Sequence, residues 1–106
     1  MSSNWRRDEV LLPLRFNDGQ DVPQEWIAEA VLEVVDRFGA ASYETQLVEG
    51  HWRQGAVMYR DDLVRIAVDV PDLAKHRKWM AAFKKNWKAK LKQLELWVVS
   101  YVIEVE

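Results

Sequence analysis

Val10, Leu12, Leu14 and Phe16 recur at a period of two, the pattern of a strand that buries one face. This spacing predicts a first strand over 10–16, with the polar residues 1–8 as a loose leader. Pro13 inside the run argues for a sheet edge or a bulge, because proline cannot donate to a ladder. Turn chemistry follows at Asn17-Asp18-Gly19. The period then changes. Trp26, Ile27, Ala30, Val31, Val34, Val35 and Phe38 fall at three-to-four spacing and form one stripe of a helix. Asp21 is the expected cap, Gln24 its capping-box partner, Pro23 a first-turn residue and Gly39 the terminator.

A second strand is predicted over 42–48 and a third over 57–70, where Val64, Ile66, Val68 and Val70 alternate with Arg65 and Asp69. Residues 49–55, with Gly50 and Gly55, read as a hairpin connection or as a bulged continuation of the second strand. Asp72 is the expected cap of a second helix over 73–93, with Trp79, Met80, Phe83, Trp87, Leu91 and Leu94 on one side and lysines on the other. Residues 96–105 complete the series as a fourth strand. The order β-α-β-β-α-β, with short connections and right-handed crossovers, predicts one α+β domain over 1–106 of ferredoxin-like layout. Its four-stranded antiparallel sheet would carry both helices on one face.

The fourth strand changes this picture. With both helices on one side, the other side of the sheet should be polar. Instead Trp97, Val99, Tyr101, Ile103 and Val105 form an apolar row opposite Leu96, Val98 and Val102. Covering such a row in a partner is the usual solution, and two-fold self-association the commonest form of it. Trp97, Val99, Tyr101 and Ile103 are therefore the expected interface of a homodimer. The alternatives are that the N-terminal segment or the 50–56 loop folds over the face, or that a different protein covers it.

Composition sharpens the picture further. The chain is 49% hydrophobic and 30% charged, as in ordinary globular proteins. Its six tryptophans are many for this length, and some of them are expected at a boundary rather than at the core centre. No cysteine is present, which excludes disulfides, thiolate metal sites and cysteine nucleophiles. The start of the chain lacks the apolar run of a signal peptide, and no stretch is long and apolar enough to span a bilayer. A cytoplasmic location without a membrane partner is expected.

The net charge of −2 hides a segregation. Residues 73–94 hold eight lysines and arginines and no acid, so the remaining seven basic residues face all 17 acids. Lys78, Lys85, Lys88 and Lys92 mark the basic surface of the second helix, suited to an acidic partner. Nucleic-acid backbone contact is the sharper reading of such a helix, but the acidic whole chain and the lack of interleaved aromatics argue against it.

The densest set of reactive side chains surrounds the hairpin: Glu49, His51, Trp52, Arg53, Tyr59, Arg60, Asp61 and Asp62. An imidazole near a carboxylate can move protons, and His51, Arg53, Tyr59 and Asp61 are the candidate catalytic group. The bland reading is a polar hairpin tip with local ion pairs. Neither His51 nor His76 has a second ligand at helical spacing, so no metal is expected, and no nucleotide-binding or nucleophile motif implies a cofactor.

The segments Phe16-Asn-Asp-Gly19, Val22-Pro-Gln-Glu-Trp26, Arg37-Phe-Gly39, Glu49-Gly-His-Trp-Arg53, Tyr59-Arg-Asp61 and Leu94-Glu-Leu-Trp97 together resemble a set of small uncharacterised bacterial proteins. The resemblance implies a ferredoxin-like fold in a bacterial cytoplasm and brings no activity or site residues with it. The sequence thus points first to a non-enzymatic, self-associating interaction module. A small-molecule-binding protein or enzyme with a pocket between the sheet and the 49–62 hairpin is the alternative, and weak nucleic-acid binding through the basic helix a third.

Overall fold

The computed structural model describes residues 4–106. Six elements follow in the order β1 (Trp5–Pro13), α1 (Gln24–Phe38), β2 (Ser42–Gln54), β3 (Val57–Pro71), α2 (Ala74–Lys90) and β4 (Val98–Ile103). The strands form one antiparallel sheet in the order β2-β3-β1-β4, the strand order of a ferredoxin-like α+β fold. Val10 lies opposite both Ile66 and Val98, and Leu12 opposite Val64. These side chains share one face, and on it they meet Ile27, Ala30 and Val34 of α1 and Met80, Phe83 and Trp87 of α2 in a single core. Both helices therefore cover the same side. Of the six tryptophans only Trp87 is buried; the others lie at boundaries, with Trp97 62% exposed.

β1 begins five residues earlier than the apolar alternation suggests, so residues 5–8 are strand rather than leader, while residues 1–3 lie outside the described residues. The reason is cross-strand pairing of polar groups. On the open face Arg7 forks onto Asp69 of β3 with bonds of 2.7 and 2.9 Å. On the helix face Asp8, only 4% exposed, accepts a hydrogen bond from Ser100 of β4, and Arg6 reaches Asp72 at 3.1 Å. Satisfied in this way, charged residues stand in a ladder as well as valines do. β1 is also central, not an edge. Pro13 is tolerated because its nitrogen falls on the β4 side, where the last bond is from Leu11 N–H to the Trp97 carbonyl, while Leu14 N–H still donates to Asp62 of β3 at 2.9 Å.

The helix starts differ from expectation for a related reason. Neither helix has a side-chain cap. Asp21 lies two residues short of the Pro23 N-cap and instead faces Arg15 in an isolated bridge. Asp72 pairs with Arg6 and Arg77. Gly39 does end α1 in the left-handed region at φ 86°, its N–H donating to the carbonyl of Val35.

Of the two readings of residues 49–55, the continuation holds. β2 runs on to Gln54 past an irregularity between Glu44 and Val48, and the turn is Gly55-Ala56, with Gly55 at φ 61°. Because β1 pairs only with Leu63–Pro71, the distal half of the β2–β3 hairpin projects beyond the body, and the molecule measures 51 × 29 × 25 Å. α2 stops at Lys90, and Lys92 adopts φ 55°, so residues 92–97 form an irregular segment that leads into a shorter β4.

Leu12 is fully buried, so Leu12→Ala should cost about 2–5 kcal/mol in urea denaturation. A loss below about 1 kcal/mol would be incompatible with this core. Acid should also destabilise the protein through its cross-strand pairs. The hydrogen bonds from Arg7 and Arg6 hold the carboxyls of Asp69 and Asp72 below the usual value of 3.8. A carboxyl depressed in the folded state contributes stability above its unfolded value and loses it as pH falls through the folded one. Stability should therefore decline as pH drops below about 4, and Asp69→Asn should flatten that decline in thermal unfolding between about pH 2 and 6.

Candidate functional site

The sheet places alternate residues of the projecting hairpin on opposite faces, and this divides the reactive set. Gly50 and Trp52 of β2, with Tyr59 and Asp61 of β3, share the open face with Leu11, Pro13 and Leu63. His51 and Arg53 fall on the other side of the ladder, opposite Arg60 and Met58. His51 Nε2 lies 3.0 Å from Glu49 Oε1, which also takes a 2.9 Å contact from Arg60 Nε. Arg60 and Arg15 in turn approach Asp62 at 3.3 and 3.6 Å. This side is a surface ion-pair network. The four expected catalytic residues thus do not converge: Tyr59 and Asp61 belong to one face of the ribbon, His51 and Arg53 to the other, and of the four only Asp61 and His51 border the cleft described next. Period-two parity in the sequence carries that separation, but only once residues 49–54 are known to be strand.

On the open face the indole N–H of Trp52 donates to Asp61 Oδ2 at 2.8 Å, and the Trp52 and Tyr59 rings stack with centroids 4.4 Å apart and planes 16° from parallel. The stack immobilises the indole, and the indole orients the carboxylate. Below them lies a cleft of about 440 Å³. Leu11, Pro13 and Leu63 form its apolar floor, Trp52 and Asp61 one wall, and the irregular segment Gln93-Leu94-Glu95-Leu96-Trp97 the other. Its size is that of a small-ligand site, and the mixture of apolar surface with a few fixed polar groups is the usual one.

The second wall went unnoticed in the sequence, where 93 closes the predicted helix and 96 opens the strand. Two anchors hold it. Leu91 and Leu96 are buried in the core, and Lys84 Nζ reaches Glu95 Oε1 at 3.1 Å. The Lys84 hydrogen bond, aided by the backbone N–H of Leu96, keeps the Glu95 carboxyl below its ordinary range. Exposed Leu94 and Trp97 are left at the rim of the cleft. The left-handed Lys92 that redirects the chain has no composition signal, since lysine rarely takes that conformation.

The expected interface row does stand on the open face. Val99 lies opposite Glu9, Tyr101 opposite Arg7 and Ile103 opposite Trp5, and the row continues from Trp97. Trp97, Val99 and Tyr101 are exposed, Tyr101 at 40%, and Ile103 is half-buried. The centre of this face is not apolar, however. Arg7, Glu9, Arg65 and Asp69 occupy it, with Arg65 reaching Glu44 at 2.9 Å and the Tyr101 hydroxyl donating to Glu9 at 3.3 Å. The apolar surface is a strip along one edge and the floor of the cleft.

On α2, Arg77, Lys84 and Lys90 engage Asp72, Glu95 and Glu29. Among the described residues Lys78, Lys85, Lys88 and Lys92 have no carboxylate within ion-pair distance. His76 is structural. Its ring meets Phe38 edge-on at 5.2 Å, and burial, with Lys75 and Arg37 nearby, pushes the imidazole below its ordinary value. Among the described residues no cluster of three metal-ligating side chains occurs, and no helix is long and apolar enough to cross a membrane.

No protein-family model matches the chain, and no curated protein is similar to it in sequence. Solved structures are similar in fold. A phage SAM lyase in complex with S-methyl-5'-thioadenosine matches with a TM-score of 0.70 at 15% identity, over 99% of this chain and 93% of that one. CutA from Synechococcus elongatus matches at 0.61 and 6% identity, over 96% and 79%. The GlnK-ATP complex of B. subtilis matches at 0.53 and 15% identity, over 97% and 84%. At these identities the likeness is one of fold: the chain has the ferredoxin-like α+β architecture these small proteins share.

Proposed function

We propose that the chain binds a small adenosine thioether or sulfonium, of the S-methyl-5'-thioadenosine and SAM class, in the cleft between the open sheet face, the β2–β3 hairpin and residues 93–97. The observation that carries this reading is Asp61, a carboxylate held by the Trp52 indole at the wall of a mainly apolar cleft. A fixed acceptor there suits the two hydroxyls of a ribose, and the Leu11, Pro13 and Leu63 floor suits a thioether methyl. The exposed Trp97 ring at the rim offers a stacking surface for a purine. The Asp61 carboxylate, which has no cationic partner among the described residues, also suits the positive charge of a sulfonium. The fold likeness to a phage SAM lyase crystallised with S-methyl-5'-thioadenosine supports this ligand class over others of the same size.

Tryptophan fluorescence titrated with S-methyl-5'-thioadenosine and with SAM should show saturable quenching. Asp61→Asn and Trp97→Ala should each weaken binding about tenfold or more, in keeping with a lost charge-assisted hydrogen bond or a lost stacking contact. Titrations unchanged by both substitutions would overturn the cleft as the site. Chromatography of a SAM incubation then separates binding from turnover: release of S-methyl-5'-thioadenosine that stops in Asp61→Asn makes the cleft an active site.

A second reading rests on a different observation, the uncovered row Trp97, Val99, Tyr101 and Ile103. We propose that this strip pairs with a second copy, leaving the ion pairs of the sheet centre at the rim of the contact. Light scattering after size exclusion should give a dimer or larger assembly that persists at about 300 mM salt, where surface ion pairs are screened, and Val99→Lys should dissociate it. A monomer at every concentration would remove this reading without touching the cleft.

A further inference from the structure

The two helices present opposite charge to solvent. The outward line of α2 is Lys78, Ala82, Lys85 and Ala89, and Lys92 lies just past the end of the helix. Arg77, Lys84 and Lys90 beside this line are already paired within the chain, to Asp72, Glu95 and Glu29. Lys78, Lys85, Lys88 and Lys92 have no such partner among the described residues. The outward line of α1 is Glu25, Ala28, Leu32 and Asp36, also at helical spacing. It is acidic, and its Leu32 is 59% exposed. Glu25 and Asp36 likewise lack an ion-pair partner among the described residues.

We propose that this helical layer is a self-complementary surface on which α1 of one copy docks against α2 of a second. β1 and β3 are antiparallel and each helix returns along the sheet from its own strand, so α1 and α2 run in opposite directions. A two-fold axis lying between the helices and parallel to them sets each α1 on the other copy's α2, antiparallel and with opposite charges facing. Leu32 then lies against the small residues of the lysine line, where alanines allow close approach. The chain already uses this chemistry at its own helix junction. Lys90 bridges to Glu29 at 2.9 Å and lies 4.6 Å from the ring centres of both Trp26 and Trp87. A duplex polyanion fits less well, because it is wide enough to cover the acidic line of α1 as well as the lysines beside it. A lipid surface is disfavoured because the aromatic residues of α2 point into the core.

This inference is independent of the cleft and differs from sheet-strip association in its response to salt. Sedimentation velocity of the full chain carrying Val99→Lys, which removes pairing through the sheet strip, should show a dimer at about 20 mM salt that dissociates by about 300 mM, where screening extends over only a few ångströms. Lys78→Glu with Lys85→Glu should abolish that dimer, and so should Glu25→Lys with Asp36→Lys. Mixed together, the two double variants should associate again, since at the substituted positions one then carries acids on both helices and the other bases on both. All these positions are exposed, and circular dichroism should be unchanged. A monomer at low salt, a dimer indifferent to salt, or variants that fail to associate on mixing would each overturn the proposal. Retention of a short DNA duplex at low salt by wild-type monomer would also overturn it and assign the lysines to a polyanion.

Discussion

Everything in this fold hangs on β1. It is the only strand with neighbours on both sides that come from distant parts of the chain, and it joins the β2–β3 hairpin to the C-terminal strand. Its even-numbered residues do two jobs. Val10 and Leu12 supply the floor of the core, and Asp8 and Arg6 supply polar contacts to Ser100 and Asp72. Buried polar groups are costly when unpaired, so β3 and β4 must sit in one register for these contacts to be made. The odd-numbered residues do the same for the open face, where Arg7 and Glu9 face Asp69, Arg65 and Tyr101.

That register in turn creates the cleft. β3 is longer than β1, so the sheet narrows from four strands to a two-stranded ribbon beyond Leu63. Where β1 stops at Pro13, a step is left in the sheet, and the redirected chain after α2 closes its other side. The cleft is a consequence of unequal strand lengths and of one left-handed lysine, and its carboxylate is oriented by a neighbour from the same ribbon. Apolar floor and fixed acceptor thus come from different physical causes, core alternation for the first and ribbon parity for the second.

Much of this was legible in the chain. The period-two runs at 64–70 and the helical stripes at 26–38 and 79–91 are set by the core and read directly as elements. Gly39 announced its left-handed terminator. The first half of β1 did not announce itself, because Trp5, Arg6, Arg7 and Asp8 are held by cross-strand partners some sixty or more residues away. Asp21 and Asp72 looked like caps because capping is a local habit of aspartate, whereas the partners that claimed them, Arg15 and Arg6, are found by the fold. For the site, Asp61 and Tyr59 stood out by residue type, but their separation from His51 and Arg53 depends on where the hairpin turns.

The irregularity between Glu44 and Val48 gives the hairpin a further property. Three residues of β2 pass a single residue of β3 there, so the ladder at the base of the sheet and the ladder of the ribbon keep separate registers. The base is fixed by the core, and the ribbon by its own ladder, the Gly55-Ala56 turn and the Trp52–Tyr59 stack. The ribbon carries Trp52, Tyr59 and Asp61 on one face and the ion pairs of Glu49, His51 and Arg60 on the other. Two sets of chemistry thus stand back to back on one ribbon whose register is decided apart from that of the core.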